Sequence, residues 1–328
     1  MIQKIIISLA LGFFLTYIFA LIILPLLKKL HASQHINFYL RNSHKQKEGT
    51  PTMGGIIFII PSVLITIILL IQGKIEISYT LLIILFVLIS YMAIGLTDDL
   101  LIIKKHNNKG LSKSQKLYLQ IIIAIIFFYL FMKSGNEPLL WIHTLHIKLN
   151  IGFFYGLFIL FILIASSNAV NLTDGLDGLA VGLSIIAFTT FGIISLNTGW
   201  LSGFEEIGIF AFILVGALLA FLCFNKHPAK IFMGDTGSLA LGATLGAYAI
   251  MTRHEILLIL IGLVFVIETL STIIQVIYYK LTHKRFFPMT PLHHTFEKYG
   301  MSEIKIVILF WLFGILFSII ALIYGVIL

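Results

Sequence analysis

The sequence is poor in charged residues, which make up 11% of its 328 positions, whereas a soluble domain carries about 25%. Hydrophobic residues account for 59% of the chain, and the mean hydropathy is +1.06. Apolar runs reach about 20 residues, the length that crosses a bilayer core as a helix. The alternation typical of barrel strands is absent. The composition therefore excludes a soluble domain and predicts an all-α polytopic membrane protein.

Cysteine is almost absent as well. The single Cys223 lies in an apolar run and cannot form an intramolecular disulfide. The net charge of +8 would suggest nucleic-acid binding in a soluble protein. In a membrane protein it reflects the uneven distribution of Lys and Arg between the loops of the two sides. We therefore predict no nucleic-acid partner.

Hydropathy predicts ten transmembrane helices. Their approximate bounds are 5–27, 52–71, 80–97, 117–132, 151–167, 179–196, 207–224, 237–251, 255–279 and 304–328. Loops 28–51, 98–116 and 280–303 each carry at least four Lys or Arg, whereas the alternate loops are nearly bare. By the positive-inside rule the basic loops are cytoplasmic, and both termini lie outside. Because no polar loop is long enough for a soluble domain, residues 1–328 are predicted to form a single membrane domain.

The chain has only five aspartates, and each lies at the predicted cytoplasmic end of an apolar run: Asp98, Asp99, Asp174, Asp177 and Asp235. Adjacent helical residues point about 100° apart, so Asp98 and Asp99 cannot share a ligand unless the helix end unwinds. Acids at a helix C-terminus oppose the helix dipole, and a metal or a basic partner would offset their charge. Two solvated acids at the interface are the alternative.

Two glycine-containing segments hold the other aspartates. Asn168-Ala-Val-Asn-Leu-Thr-Asp-Gly-Leu-Asp-Gly178 places two carboxylates three residues apart, which would share one face of a helix. Phe232-Met-Gly-Asp-Thr-Gly-Ser238 places a carboxylate and hydroxyls at the start of a helix. Such a helix start favours phosphate, and an aspartate favours it through Mg²⁺. Simple helix N-capping is the alternative for both segments.

A histidine pair and an intramembrane glutamate complete the set. Pro291-Leu-His-His-Thr-Phe-Glu297 lies in a basic loop and lacks further Cys or His at zinc spacing, so it indicates phosphate contact or proton handling. Glu268 lies within the ninth predicted helix, where a carboxylate is either functional or paired for structural reasons. Acids, lysines and histidines on one face predict Mg²⁺-assisted transfer of a phosphorylated group at the membrane surface.

These motifs, together with Thr50-Pro-Thr-Met-Gly-Gly55 and Thr97-Asp-Asp99, resemble in order the phospho-N-acetylmuramoyl-pentapeptide transferase (MraY) family. That family belongs to the polyprenyl-phosphate sugar-1-phosphate transferases of glycosyltransferase 4 type. The resemblance implies ten transmembrane helices in the bacterial plasma membrane, dependence on Mg²⁺ and a cytoplasmic active site. The implied reaction joins UDP-MurNAc-pentapeptide and undecaprenyl phosphate to give lipid I and UMP, by direct attack of the lipid phosphate.

Two alternatives to this reaction stay open. A transferase for UDP-GlcNAc or another UDP-sugar would share the mechanism, and donor competition would separate the two. A secondary transporter would also have many helices with intramembrane acids. However, transporters place their substrate near the midplane of the membrane, whereas the polar residues here lie at one surface.

The resemblance also implies residue roles. Asp235 is expected to bind Mg²⁺ with Asn171, Asp98 to deprotonate or position the lipid phosphate, and Asp99 to support the metal or the phosphates. His294 completes the catalytic set. Substrate contacts are expected at Lys47, Lys116, Asn171, Asp174, Asp177, Asn225, Phe232 and His293. A homodimer stays open.

Two positions depart from the family pattern. Thr295 replaces a third histidine, and Ile102 stands where many family members have lysine. These departures affect the individual roles expected at the two positions, and they leave the predicted reaction class unchanged.

Overall fold

The computed structural model describes residues 2–29, 49–105, 110–142, 147–197 and 204–327. Apart from one hairpin, the regular structure of this part of the chain is helical. The helices are α1 (Ile2–Lys29), α2 (Gly55–Ile71), α3 (Tyr79–Lys105), α4 (Lys113–Lys133), α5 (Phe154–Thr173), α6 (Leu179–Asn197), α7 (Phe204–Asn225), α8 (Gly234–Met251), α9 (Leu257–Ile261), α10 (Leu263–Thr282), α11 (Leu292–Lys298) and α12 (Glu303–Leu322). A π-helical turn continues α12 to Ile327.

Eight of these helices are long and apolar enough to cross a membrane: α1, α3, α4, α5, α6, α7, α10 and α12, the last together with its π-helical turn. The prediction of a helical, multi-pass membrane protein is confirmed at this level. Helix α2 is apolar but has only 17 residues. Helix α8 lies so deep in the bundle that every residue except Asp235 is buried, and it therefore needs no lipid-facing apolar surface.

The structure corrects one predicted helix end and one predicted helical face near the aspartates. Helix α3 continues to Lys105, so Asp98 and Asp99 lie inside a helix instead of closing it at residue 97. Asp174 and Asp177 lie in the turn between α5 and α6, so they do not share a helical face. The apolar run of α3 ends before the helix does, because Asp98 and Asp99 hydrogen-bond to neighbouring segments.

The ninth predicted helix, 255–279, is broken in the structure. A short α9 and the longer α10 are separated at Gly262, whose backbone (φ −97°, ψ 19°) is not helical. Glycine is a weak helix former. Hydropathy does not detect the break, because the residues on both sides of Gly262 are apolar. The described chain also contains an antiparallel hairpin of β1 (Leu139–Ile142) and β2 (Ile147–Asn150), which the sequence patterns do not predict.

Small residues position α8 between α3 and α5. A Cβ atom on Gly95 of α3 would lie 2.1 Å from the carbonyl oxygen of Asp235, and one on Gly242 of α8 would lie 2.3 Å from that of Ser166. Glycines at these crossings let the helix backbones approach closely. The start of α8 therefore lies against α3 and within reach of the last turns of α5. One hydrophobic cluster runs from Ala20 to Ala321.

Candidate active site

Lys116 joins two aspartates that are distant in sequence. Its Nζ lies 2.5 Å from Asp235 Oδ2 and 3.0 Å from Asp98 Oδ2. The side chain of Asp98 is 3% exposed, whereas those of Asp235 and Lys116 are 17% and 27% exposed. One cation thus offsets two carboxylates, and part of this cluster stays open to a ligand.

The segment before α4 holds Lys116 in place. Ser112 caps α4 by accepting a hydrogen bond from Gln115 N at 3.2 Å, and the Gln115 side chain accepts one from Ser112 N at 2.9 Å. Leu111 N–H donates to Asp98 Oδ1 at 2.6 Å. A Cβ atom on Gly110 would lie 2.2 Å from the same oxygen. Only glycine permits the chain to pass so close to Asp98.

Asn171, in the last turn of α5, binds the other side of Asp235. Its Nδ2 donates to Asp235 Oδ1 at 2.8 Å and to Ser238 Oγ at 2.9 Å. The carboxylate of Asp235 is therefore held between Lys116 of α4 and Asn171 of α5.

Asp99 is fully buried beneath the start of α8. It accepts hydrogen bonds from Thr236 N at 3.0 Å, Thr236 Oγ1 at 2.6 Å and Asp235 N at 3.3 Å. A carboxylate at this place satisfies helix N–H groups and complements the helix dipole. Asp98 and Asp99 thus have separate partners, as expected from the angle between neighbouring helical residues.

The segment Thr50–Gly55 packs along the residues that precede α8. Phe232 N donates to Pro51 O at 2.8 Å and its carbonyl accepts from Gly54 N at 2.9 Å. Gly234 has a left-handed backbone (φ +71°), and a Cβ atom there would lie 2.6 Å from Asp99 Oδ2. Glycine is therefore required at this turn. Phe232 itself is half-buried beside the cluster.

Asp177 forms a second cluster with two residues that sequence reasoning missed. Its Oδ2 lies 3.0 Å from His227 Nδ1, and its backbone N–H donates to Glu303 Oε1 at 2.6 Å. His227 Nδ1 also lies 3.3 Å from Glu303 Oε2. One ligand atom from each of the three residues lies within 4.8 Å of the others, a set that could hold a metal ion. No sequence spacing links these positions, which come from three different segments.

Asn225, the last residue of α7, hydrogen-bonds to the turn that contains Asp177. Its Oδ1 accepts a hydrogen bond from Gly178 N at 3.1 Å and its Nδ2 donates to Ile231 O at 2.9 Å. Asp174 is half-buried in the turn. The structure thus brings Asp174, Asp177 and Asn225 together near the end of α5, from which Asn171 reaches Asp235. Lys47 lies outside the described residues.

The two histidines of α11 have separate acidic partners. His293 Nδ1 lies 3.0 Å from Glu268 Oε2, and both side chains are completely buried. His294 Nδ1 lies 2.6 Å from Glu297 Oε2, and the two imidazole rings are 4.2 Å apart. The buried Thr295 donates its hydroxyl to the Met289 carbonyl. The intramembrane Glu268 is therefore a paired acid.

An apolar cleft of about 490 Å³ lies between α5 and the broken helix α9–α10. Its lining includes Phe161 and Val170 from α5 and Phe265 and Ile273 from α10. Gly262, where the helix is broken, also lines the cleft. Such a surface suits a hydrocarbon chain.

Comparison with known proteins identifies the family of the chain. The sequence model of glycosyl transferase family 4 matches residues 79–253, and the phospho-N-acetylmuramoyl-pentapeptide-transferase signature 1 matches residues 47–59.

Three curated relatives bear the name phospho-N-acetylmuramoyl-pentapeptide-transferase. The chain is 45% identical to the protein from Geobacillus sp. (strain WCH70) over 316 residues, covering 96% of each chain. It is 44% identical to that of Oceanobacillus iheyensis over 313 residues, covering 95% of each. The Bacillus subtilis (strain 168) protein is 43% identical over 320 residues, which cover 98% of this chain and 97% of the relative. The chain therefore belongs to glycosyl transferase family 4 and, within it, to the phospho-N-acetylmuramoyl-pentapeptide transferases.

Proposed function

We propose that the chain transfers phospho-MurNAc-pentapeptide from UDP-MurNAc-pentapeptide to undecaprenyl phosphate, giving lipid I and UMP in peptidoglycan synthesis. The observation that carries the proposal is the bridge from Lys116 to Asp98 and Asp235. It assembles carboxylates and a cation from three helices at one end of a membrane bundle. The family membership supports the choice of the phosphorylated group, and the apolar cleft supports a lipid acceptor.

The proposed topology has ten membrane-crossing helices, with α2, α8 and the combined α9–α10 added to the seven other long helices. Both termini are outside, and the Asp235 end of the bundle faces the cytoplasm of a bacterial cell. The excess of Lys and Arg in loops 28–51, 98–116 and 280–303 supports this orientation. A hydrophobic core that is continuous from α1 to α12 supports a single domain over residues 1–328.

The residues at Asp235 fit Mg²⁺, which prefers oxygen ligands in proteins. Asp235 is the one residue of α8 that is not buried, and the Asn171 Nδ2 donates to its carboxylate at 2.8 Å, so Asn171 would bind the ion through the Oδ1 of the same amide. We assign Mg²⁺ to these two side chains, because the imidazole in the Asp177–His227–Glu303 cluster suits transition metals better. When bound, Mg²⁺ supplies positive charge that offsets the donor diphosphate.

Asp98 and Lys116 position the lipid phosphate in the proposed mechanism. Among the described residues, Lys116 is the one cation of the cluster and is partly exposed, so its ammonium can bind a phosphate oxygen in place of a carboxylate. Asp98, held by Leu111 N–H, keeps Lys116 in place and contacts the acceptor. The acceptor phosphate is ionised near neutral pH and needs no covalent enzyme intermediate to attack the donor. Asp99 acts by fixing the start of α8.

The remaining predicted substrate residues surround the nucleotide end of the donor. Asp174 and Asp177 lie in the turn after α5, Asn225 ends α7, and Phe232 lies in the segment between α7 and α8. His293 and His294 approach from α11, and Lys47 is assigned a phosphate contact on the resemblance alone. The polyprenyl chain of the acceptor lies in the apolar cleft between α5 and α10, which lets a membrane lipid reach the polar cluster without leaving hydrocarbon.

The test is UMP release by the purified protein in detergent, with undecaprenyl phosphate and Mg²⁺. UDP-MurNAc-pentapeptide and UDP-GlcNAc are supplied separately, each with an EDTA control. We expect metal-dependent release with the muramoyl donor alone. Release with UDP-GlcNAc alone would keep the mechanism and change the substrate. Release with neither donor, from protein shown to be folded, would overturn the proposal and favour a transporter.

A further inference from the structure

Within the part of the chain that the structure describes, the carboxylate of the buried Glu268 hydrogen-bonds to one residue of α11, His293. Its Oε2 lies 3.0 Å from His293 Nδ1, and its Oε1 accepts the His293 backbone N–H at 3.1 Å. Neither side chain is exposed. The carboxylate therefore binds both the backbone N–H and the ring of His293, and these two contacts fix the orientation of the imidazole.

In this orientation the second ring nitrogen of His293, Nε2, faces the turn after α5. A Cβ atom on Gly175 would lie 2.4 Å from His293 Nε2, so only glycine lets the ring approach the turn. Within the described residues, Nε2 is buried and has no hydrogen-bond partner. A buried polar atom without a partner is unfavourable. This one lies against the turn that we assign to the donor, and it indicates a place where a ligand supplies the missing hydrogen bond.

We propose that Glu268 is a positioning residue for the donor substrate. It holds His293 so that Nε2 forms a hydrogen bond with a polar group of the nucleotide donor when the Asp174–Gly175 turn moves aside. A carboxylate that binds one imidazole nitrogen determines the orientation of the ring and leaves the other nitrogen for the ligand. Glu268 thus acts through His293 and touches no substrate atom. This inference rests on the proposed function, because it concerns the same donor.

The neighbouring pair provides a contrast. His294 also binds a glutamate, Glu297, but that pair lies three residues apart on α11 and is partly exposed. Glu268 comes from a different helix, so its pairing fixes α11 against α10 and orients a ring that solvent does not reach. This difference is why Glu268, and not Glu297, is expected to control donor recognition.

The experiment combines Glu268→Gln, His293→Ala and the double variant in a steady-state assay of UMP release. We expect Glu268→Gln to lower kcat/KM for UDP-MurNAc-pentapeptide by about 10–100-fold, the size seen when the group that orients a histidine is removed. The KM for undecaprenyl phosphate should stay within about twofold. The double variant should be no worse than His293→Ala, because both substitutions remove one interaction.

Ser271→Ala is the matched control, since Ser271 is buried on the same helix and donates only to the Glu268 backbone carbonyl at 2.7 Å. It should retain the kcat/KM of the wild type, and thermal unfolding should show that all variants are folded. Multiplicative losses in the double variant, or a Glu268→Gln protein with unchanged donor kinetics, would overturn the inference.

Calorimetric titration with each nucleotide donor separates this result from failure of the proposed function. If the wild-type protein releases UMP and binds the donor but Glu268→Gln behaves identically, only the positioning role is wrong. If the wild-type protein neither releases UMP nor binds UDP-MurNAc-pentapeptide or UDP-GlcNAc, the proposed function fails and the role of Glu268 fails with it.

Discussion

Helix α8 has a cluster of charged side chains at each end, and the two clusters differ in solvent exposure and in the partners of their cation. At its start, Asp235 and Lys116 keep 17% and 27% of their side chains exposed. Just beyond its end, Arg253 and Glu255 are 7% and 3% exposed. The helix has 18 residues and is about 27 Å long, so these clusters belong to opposite ends of the bundle.

The partners of Arg253 are fixed parts of the fold. Its guanidinium donates to the Leu139 carbonyl at 3.1 Å, to Tyr155 Oη at 3.3 Å and to Asn136 Oδ1 at 3.2 Å, and it lies 4.8 Å from the ring centre of Phe131. Tyr155 in turn donates to the Glu255 carboxylate. This arginine–glutamate cluster ties the hairpin to the turn between α8 and α9.

The comparison shows that buried charge alone does not indicate a catalytic site. The cluster at the end of α8 satisfies its cation with carbonyl, amide, hydroxyl and ring groups of the fold itself. The cluster at the start of α8 has a lysine shared by two carboxylates and open to a third anionic partner. Substitutions at the two ends should therefore separate transfer activity from stability.

The largest effect is expected for Asp235→Asn. Removing the charge eliminates the carboxylate that we assign to Mg²⁺ and weakens the hold on Lys116. Transfer should fall by at least about 100-fold, while the melting temperature stays near that of the wild type, because the amide preserves the shape. UMP release at ordinary Mg²⁺ measures the effect, and substantial activity in this variant would refute the metal assignment.

The next effect concerns the other end of α8. Arg253→Met leaves the carbonyl, the phenol and the buried Glu255 without their cation, and the free energy of unfolding should fall by about 3 kcal/mol. Activity per folded molecule should stay unchanged. Lys148→Met is the control, because Lys148 is exposed and stacks on Trp141 of the same hairpin. Equal losses in both variants would show that hairpin charge in general, and not the buried contact, stabilises the fold.

Glu255 should make stability depend on pH. Burial raises its pKa from 4.5 to about 7, so between these values the folded state binds more protons than the unfolded state. Stability from this residue is therefore greatest at low pH and falls as pH rises from about 4.5 to 7. Burial lowers the pKa of His254, which acts in the opposite direction below its ordinary value, so the wild-type profile alone is not diagnostic.

Glu255→Gln isolates this contribution, because glutamine resembles the protonated acid. The wild type should lose about 3 kcal/mol relative to the variant between pH 4.5 and 7.5. Thermal or chemical unfolding of both proteins across this range measures the difference. A difference that is constant with pH would mean that Glu255 titrates alike in the folded and unfolded states.

The smallest effect is expected at Thr295, the position where this chain lacks a family histidine. Its buried hydroxyl donates to the Met289 carbonyl, so Thr295→Val should cost about 1 kcal/mol of stability. Transfer should change by less than about threefold, because the hydroxyl is engaged within its own loop. Thr295→Ser keeps the hydroxyl and should retain the stability of the wild type. A large loss of transfer in Thr295→Val would instead assign the hydroxyl a substrate contact.

Much of the fold could be predicted because a chain that crosses lipid can adopt few kinds of secondary structure. Each predicted apolar run contains a helix in the structure, since a buried chain must satisfy its backbone polar groups internally. The break at Gly262 and the hairpin at Leu139–Asn150 could not be predicted, because both depend on contacts with other helices. Hydropathy likewise predicted that α3 ends before Asp98, although the helix continues to Lys105.

The sequence by itself determined the membrane class, the family and the grouping of all five aspartates in loop-proximal segments, because composition and ordered motifs are local properties. Only the tertiary structure decided which charges meet. Lys116 and Asp235 are 119 positions apart, and Asp177 and Glu303 are 126 apart. Glycines at the crossings of α8 with α3 and α5 bring Asp235 close to those helices, since they permit backbone approach that no spacing in the sequence reveals.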